Sequence, residues 1–306
     1  MKRLILSAVL CLLALLLCGC DATELGGRAL IQAAAVDISD GEYTVSALLF
    51  SSSGGSGGEI DPSNDNVIKV TGTGRTFSEA VDNISLTDGK EIFMSENKLL
   101  IIGAGFRREE LTPLLLTAAR DMRCSLNMMV CFSEDPELLT DLHFTEGITA
   151  AEKPVSMIEN AYRAGSSPRA YLLDLLNDAR AGRDSLIPMF SPARNGYGTT
   201  TDEDGETVIL SGAAVMSRGL LTDSLDPEQT AGRMLLDGLS DRVLLTFLLD
   251  GNEYICEAYN VSAERLGDGR VKLKASLRQR NGAQLTEDMK SAASQELDRI
   301  VNAALS

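Results

Sequence analysis

Several stretches of this 306-residue chain have residue types and spacings that invite a chemical reading. "LLIIGAGF" (Leu99–Phe106) runs an apolar strand into Gly103-Ala104-Gly105, as a dinucleotide-binding turn begins. That fingerprint needs a third small residue at position 108, where the next helix packs closely on the strand. Arg108 stands there, preceded by Arg107, and no downstream acid is convincingly placed for a ribose. "TGTGRT" (Thr71–Thr76) sets glycines before a helix, as at a phosphate-binding N-terminus, but lacks the lysine and spacing of a P-loop. Tight strand-to-helix turns explain both stretches better. His143 is the single histidine, so any Ser/His/Asp or Cys/His arrangement would have to use it, and no motif surrounds it. One histidine cannot make a histidine-rich metal site either. The acidic run Thr201–Glu206 misses the spacing of a calcium loop and reads as a solvated loop. Nothing points to paired carboxylates for hydrolysis, and with no Trp and 5% aromatics there is no aromatic binding box. The expectation is no catalytic residue, no cofactor and no metal.

Cysteine is the remaining reactive type. In "LLLCGCDATEL" (Leu15–Leu25) two cysteines sit where an apolar run meets a polar one. Lys2 and Arg3 form a basic start, and Leu4 to Leu17 are almost wholly apolar. As a helix this run rises about 21 Å, short of the ~30 Å hydrocarbon core. A basic start, a short apolar run and a small residue before a cysteine read as a secretory signal. Leu17-Cys18-Gly19-Cys20 resembles the bacterial lipobox, in which Cys20 receives a diacylglyceryl group and becomes the first mature residue. Cys18 occupies a place where Ala or Ser is commoner. Cys20 is therefore expected to be a lipid attachment site, with residues 1–19 as the signal peptide. Cys124, Cys131 and Cys256 are scattered. "RCSLNMMVCFS" reads as a strand, which would hold Cys124 and Cys131 about 23 Å apart, too far to bridge. All three are expected to act as small buried hydrophobes.

Charge narrows the partners. The formal charge is −16, and loss of Lys2 and Arg3 with the signal makes the mature chain two units more acidic. Such a surface repels nucleic acid and anionic headgroups. Membrane attachment would then rest on the lipid and on protein partners, and two or more acyl chains anchor stably where one does not.

The elements that must carry these residues follow from periodicity. "RALIQAAAVDIS" and "EYTVSALLF", joined by Asp40-Gly41, read as a β-hairpin, and "SSSGGSGG" (Ser51–Gly58) as a flexible loop. Phe77, Ala80, Val81 and Ile84 recur at helical spacing behind Thr76 as N-cap, with Glu79 three residues on. "KLLIIG" reads as a buried strand, "REELTPLLLTAARD" as a helix and "EDPELLTDL" as a short one. Residues 146–181 read as helical, with breaks near Lys153-Pro154 and at Gly165–Pro168. After the polar loop Asn195–Glu206 come strands, a short helix near Pro227–Leu236, and a long amphipathic helix in "TEDMKSAASQELDRIVNAAL". Length and pattern give an α+β fold. Two mixed α/β domains follow the signal: an N-terminal domain over 20–195, with a loop at 51–66, and a C-terminal domain over 205–306 built mostly of antiparallel strands with a long terminal helix.

The order of these segments resembles the Ger(x)C family, the lipoprotein C subunits of nutrient germinant receptors in endospore-forming bacteria. Gly19-Cys20-Asp21-Ala22-Thr23-Glu24-Leu25 is similar to the family's opening run, with its Trp missing. Val36-Asp37 and Gly41-Glu42-Tyr43-Thr44-Val45 look like its first hairpin, "GTGRTFSEAVDNIS" like its Gly-Arg-Thr helix start, and "NKLLIIG" followed by Arg120-Asp121 like its next strand and helix. "LSGAAVMSRGLLTDSL" is similar to its Gly-Xaa-Ala-Val-Phe segment, with Met216 for the Phe. The resemblance implies a non-enzymatic subunit in spore germination, anchored through Cys20 to the outer face of the cell membrane, in the spore the inner membrane. Its implied partners are the membrane-embedded A subunit and the permease-like B subunit, with the nutrient germinant reached through the complex. Family members continue with further strands beyond the helix at 286–304, so a trimmed last domain is expected. Two rivals are a solute-binding lipoprotein of an ABC importer, disfavoured by the strand-rich second half, and a secreted hydrolase, disfavoured by the isolated His143.

Overall fold

A computed structural model describes residues 28–50, 67–141, 151–193, 200–201, 207–266, 270–280 and 283–305. Cys20 with its signal, the loop at 51–66, His143 and the acidic residues 202–206 lie outside the described residues.

The larger unit grows from a strand pattern that needs cover on both faces. In chain order, β1 (Arg28–Ser39), β2 (Glu42–Phe50) and β3 (Val67–Gly74) form an antiparallel meander. Asp40 and Gly41 turn the first hairpin with φ of 52° and 78°, the geometry whose twist suits flanking strands. Helix α1 (Phe77–Asp88) follows, then β4 (Glu91–Phe93), β5 (Leu99–Ile102), α2 (Leu111–Arg120), β6 (Met129–Ser133), α3 (Leu138–Asp141), α4 (Glu152–Arg163), α5 (Leu172–Ala181) and β7 (Asp184–Pro192). Strands β1, β5, β6 and β7 pair parallel and in that spatial order. Side chains alternate along them. Leu100, Ile102, Val130 and Phe132 pack with α1, α2 and α5, whereas Leu99, Ile101, Met129 and Cys131 pack with α3 and α4. Parallel strands covered on both faces read as unbroken apolar runs for this reason.

The sheet does not stop at the polar loop where the sequence places a domain boundary. After β8 (Thr200–Thr201), β9 (Thr207–Ser217) pairs antiparallel with β7 from Ser217 opposite Asp184 to Val208 opposite Pro192, and β10 (Leu220–Leu225) pairs with β9. Backbone groups of β7 left open by a boundary there are thus satisfied by the next hairpin.

Two local readings are corrected. Pro154 lies in the first turn of α4 rather than in a break, because a proline there forfeits only an amide with no intrahelical partner. The strand around "RCSLNMMVCFS" begins at Met129, not at Arg123. Arg123 has φ 53° and the Cys124 amide bonds back to the Ala118 carbonyl at 3.0 Å, so this segment closes α2 as a turn. Cys124, Cys131 and Cys256 are nonetheless free and buried.

The smaller unit comprises α6 (Pro227–Leu236), the antiparallel strands β11 (Arg242–Leu249), β12 (Asn252–Arg265) and β13 (Val271–Gln279), and α7 (Glu287–Ala303). Asp226 caps α6 reciprocally with Gln229, and Pro227 opens it, so its start is set locally. The helix then faces two ways. Met234 packs with Leu186, Ala213 and Val215 of the large sheet, while Ala231 and Leu235 join Leu245, Cys256, Leu297 and Val301 in the second core. Gly232 lets α7 close on α6, since a Cβ there would lie 2.2 Å from the Ile300 carbonyl oxygen and 2.8 Å from the Ala304 Cβ. Gly232→Val should therefore force the two helices apart and lower stability by about 1–3 kcal/mol, measured as a drop in the urea midpoint. An unchanged midpoint would show that the crossing has slack.

Candidate functional site

In open α/β sheets the carboxyl ends of the parallel strands are where ligands usually bind, and the glycine turn of the sequence lies there. The structure fills that end with the protein's own side chains. Gly103 continues β5 by donating its amide to the Val36 carbonyl at 2.8 Å. The Asp37 carboxylate then accepts from the Gly105 amide at 2.8 Å and from its own neighbour, Ile38, at 2.9 Å. A Cβ on Gly105 would sit 1.8 Å from the Ile38 carbonyl oxygen. The glycine is needed for backbone approach, and an aspartate occupies the place where a nucleotide's phosphate would take amides. Arg107 closes the same end. Its Nε and Nη2 donate to Glu134 Oε1 at 2.9 and 2.5 Å, Nη2 also donates to Ser224 Oγ at 2.8 Å, and its guanidinium lies 4.7 Å from the Phe132 ring centroid. One side chain thus ties the ends of β5, β6 and β10 together.

The "TGTGRT" turn is likewise a docking device. Thr76 Oγ1 accepts from the Glu79 amide at 3.1 Å and Glu79 accepts from the Arg75 amide at 2.8 Å, so the N-terminal amides of α1 are capped from within. At Gly72 a Cβ would meet the Ala80 carbonyl oxygen at 2.3 Å, which shows how closely α1 crosses β3.

A third polar cluster joins β2 and β3 to α3. Buried Ser46 bonds Thr71 at 2.9 Å and donates to Glu137 at 3.1 Å, while the Lys69 ammonium reaches Glu137 at 3.0 Å and Asp141. The hydrogen bond from Lys69 holds the Glu137 carboxyl below the ordinary carboxylate range, against burial that would raise it.

Open space lies at the opposite, amino-terminal ends of β5, β6 and β7. Arg169 stacks between Tyr162 at 4.2 Å and Tyr171 at 5.2 Å and bonds Glu159 at 3.3 Å, to which Tyr171 also donates at 3.1 Å. Burial first, then the adjoining Glu159, push the Tyr171 phenol up, against the pull of Arg169. On one side of this cluster a cavity of about 330 Å³ runs to Asp178, Arg183 and Ser185. There Asp178 accepts from Arg183 at 2.6 Å and from Ser185 at 2.8 Å. On the other side a cavity of about 370 Å³ lies between Asn97, Ser125 and Glu159. Sequence reading missed Glu159, Arg169 and Tyr171. Tyr162 and Tyr171 are separated by a Gly-Ser-Ser-Pro break, and only the turn there folds both rings onto one guanidinium.

Burial pushes the Cys124 thiol up to about 12 and raises Cys131 and Cys256 as well, which makes all three poor nucleophiles. Among the described residues no His, Cys, Asp and Glu gather as a metal site, and no helix is long and apolar enough to cross a membrane.

These features define a mixed α/β protein with a closed strand end and a second antiparallel unit. A family model, the spore germination protein N-terminal domain, matches residues 21–192. That span exceeds half of the chain, and the chain belongs to this family of Ger(x)C spore germination proteins. The crystal structure of the GerBC protein aligns with a TM-score of 0.47 at 16% identity, covering 89% of this chain and 80% of that one. No curated protein matches the sequence.

Two measurements check the site assignments. Asp37→Ala leaves the Gly105 amide without its acceptor and should cost about 1–3 kcal/mol in chemical denaturation, whereas a nucleotide-binding role would show instead as lost nucleotide affinity with stability kept. The Glu137 carboxyl, lowered in the fold, contributes stability that is full above the ordinary carboxylate range and lost as pH falls through its lowered value. The stability gap between wild type and Glu137→Gln should therefore narrow progressively as pH falls below the ordinary carboxylate range, read from urea midpoints over an acid series.

Proposed function

We propose that this chain is the lipid-anchored C subunit of a nutrient germinant receptor, acting through assembly with membrane proteins rather than by catalysis. The observation that carries the reading is the family match over residues 21–192, which starts one residue after Cys20. A mature chain beginning at a lipidated Cys20 would start immediately before the matched span. In this reading the diacylglyceryl group on Cys20 holds the protein on the outer face of the cell membrane, the inner membrane in the spore. The membrane-embedded A subunit and the permease-like B subunit are its partners. The acidic chain gains little from anionic headgroups, so the acyl chains supply the attachment. The internal use of Asp37, Arg107 and Glu134 at the strand ends supports a scaffold role, since the end where α/β enzymes place their chemistry is occupied.

The test is a detergent pull-down of tagged protein from spore membranes beside a Cys20→Ala control, read by mass spectrometry. Recovery of a permease-like protein and a larger membrane-embedded subunit, lost in the control, is the expected result. Recovery of an ABC permease with its ATPase would instead make the chain a solute-binding lipoprotein.

A further inference from the structure

The small sheet ends in two edges, and the chain treats them differently. Strand β13 presents Lys272, Lys274 and Arg278 at one edge, and its pairing with β12 is interrupted between Tyr259 and Ser262. Lysines and bulges of this kind keep an open edge from meeting another strand. Strand β11, at the other edge, has neither device. It pairs with β12 from Arg242 to Leu249 without a shift, and Val243 to Leu249 carry no charge. The Asp241 carbonyl accepts from the Val261 amide of β12 at 2.8 Å. Alternation then turns the N–H and C=O groups of Leu244, Thr246 and Leu248 to the free side. Arg242 faces that side too, where its amide donates to Ser240 Oγ at 3.2 Å and its carbonyl accepts from it at 2.8 Å. Gly165 lies against the same carbonyl. Beyond this covered start, no strand lies beside β11 among the described residues. A groove of about 520 Å³ runs instead along Thr246, Phe247 and Leu248 toward α7.

The surroundings of this edge fit a second copy of the same chain. Leu248 is 74% exposed and Ile255 41%. Ile255 stands opposite Thr246, so it is diagonal to Leu244 and Leu248 on the face away from the helices. The three form an apolar strip that ends at the open edge. A formal charge of −16 makes most of the surface oppose self-association. The strip is the exception, because Glu253 and Glu257 of that face lie one strand further in, on β12. Antiparallel pairing about a two-fold axis at Phe247 sets Thr246 of each copy opposite Leu248 of the other. Outward backbone groups then meet outward backbone groups, the two strips become one, and the Gly165 turn stays clear. One patch that complements itself closes at two copies.

We propose that β11 pairs antiparallel with β11 of a second copy, joining the two three-stranded sheets into one. The inference does not rest on the receptor reading: mass is measured on the purified chain, whereas partner identity is read from membranes, so each can fail alone. The experiment is sedimentation equilibrium of the full chain in density-matched detergent. A reversible dimer with a Kd of about 10 μM or tighter is expected. Thr246→Pro removes an amide that faces the free edge and no bond of the β11–β12 ladder, so the fold is kept. It should weaken the dimer about tenfold or more, as should Leu248→Lys, which sets a charge in the shared strip. Should Thr246→Pro lower the urea midpoint, Leu248→Lys carries the same test. Opposite residues of such a pair have Cα atoms about 5.5 Å apart, within disulfide reach. Copies carrying Thr246→Cys, mixed with copies carrying Leu248→Cys, should therefore cross-link under mild oxidation, and copies carrying Thr246→Cys alone should not. A monomer at about 100 μM would overturn the proposal and leave the edge to an extended segment of a different protein. A dimer that ignores both substitutions and forms no such cross-link would overturn it as well.

Discussion

The larger unit depends on four parallel strands being dry on both faces. Leu99 to Ile102 are all buried, as are Met129 to Phe132, so each strand supplies apolar groups above and below the sheet plane. With 3.3 Å per residue and alternation at every step, neither face can be left to water. Helices α1, α2 and α5 are needed on one side and α3 with α4 on the other. The crossovers this requires bring β5, β6 and β7 side by side with their carboxyl ends together. A sheet end of that kind gathers unpaired backbone amides and loop side chains, which is why it is often reactive. Here Asp37 takes the amide at Gly105, and Arg107 spans Glu134, Phe132 and Ser224. The same geometry that serves catalysis elsewhere is used to fasten the sheet to its β10 edge.

The second unit is coupled to the first through one short helix. Helix α6 places Met234 against the large sheet and Leu235 against the small one. Arg233 adds polar contacts to Asp184 of β7 at 3.3 Å and to Asp237 at 2.6 Å. Exposed pairs of this sort contribute little energy, but they fix the direction in which the helix leaves the sheet. The apolar contacts carry most of the coupling, because they remove area from water on both sides of α6. Two units that swung freely would present no constant surface.

Much of this was legible beforehand, for identifiable reasons. The hairpin at Asp40-Gly41, the Thr76 cap with Glu79, and the amphipathic terminal helix each depend on residues within a few positions of one another. Local geometry is enough to specify them. The reading failed where the deciding partner is distant. Cys124 looks like strand because apolar residues follow it, yet its amide is claimed by Ala118 at the end of α2. The polar loop after Pro192 has the composition of a linker and the matched N-terminal domain ends there, but composition does not show that β9 pairs with β7 across it. Whether β9 returns to β7 or starts a new sheet depends on an edge that composition does not record.

By itself the sequence determined the acidic balance, the α+β pattern and the order of segments that resembles the Ger(x)C family. These are matters of residue type and short spacing. Tertiary structure alone decided that Asp37 fills the glycine turn, that Arg169 lies between Tyr162 and Tyr171, and that Asn97 is buried beside a cavity with one donor unused. Each of these is a meeting of side chains that pairing and crossover bring together from separate segments. Hydrogen bonds and ring contacts act over a few ångströms, so no pattern along the chain announces them until the sheet order is known.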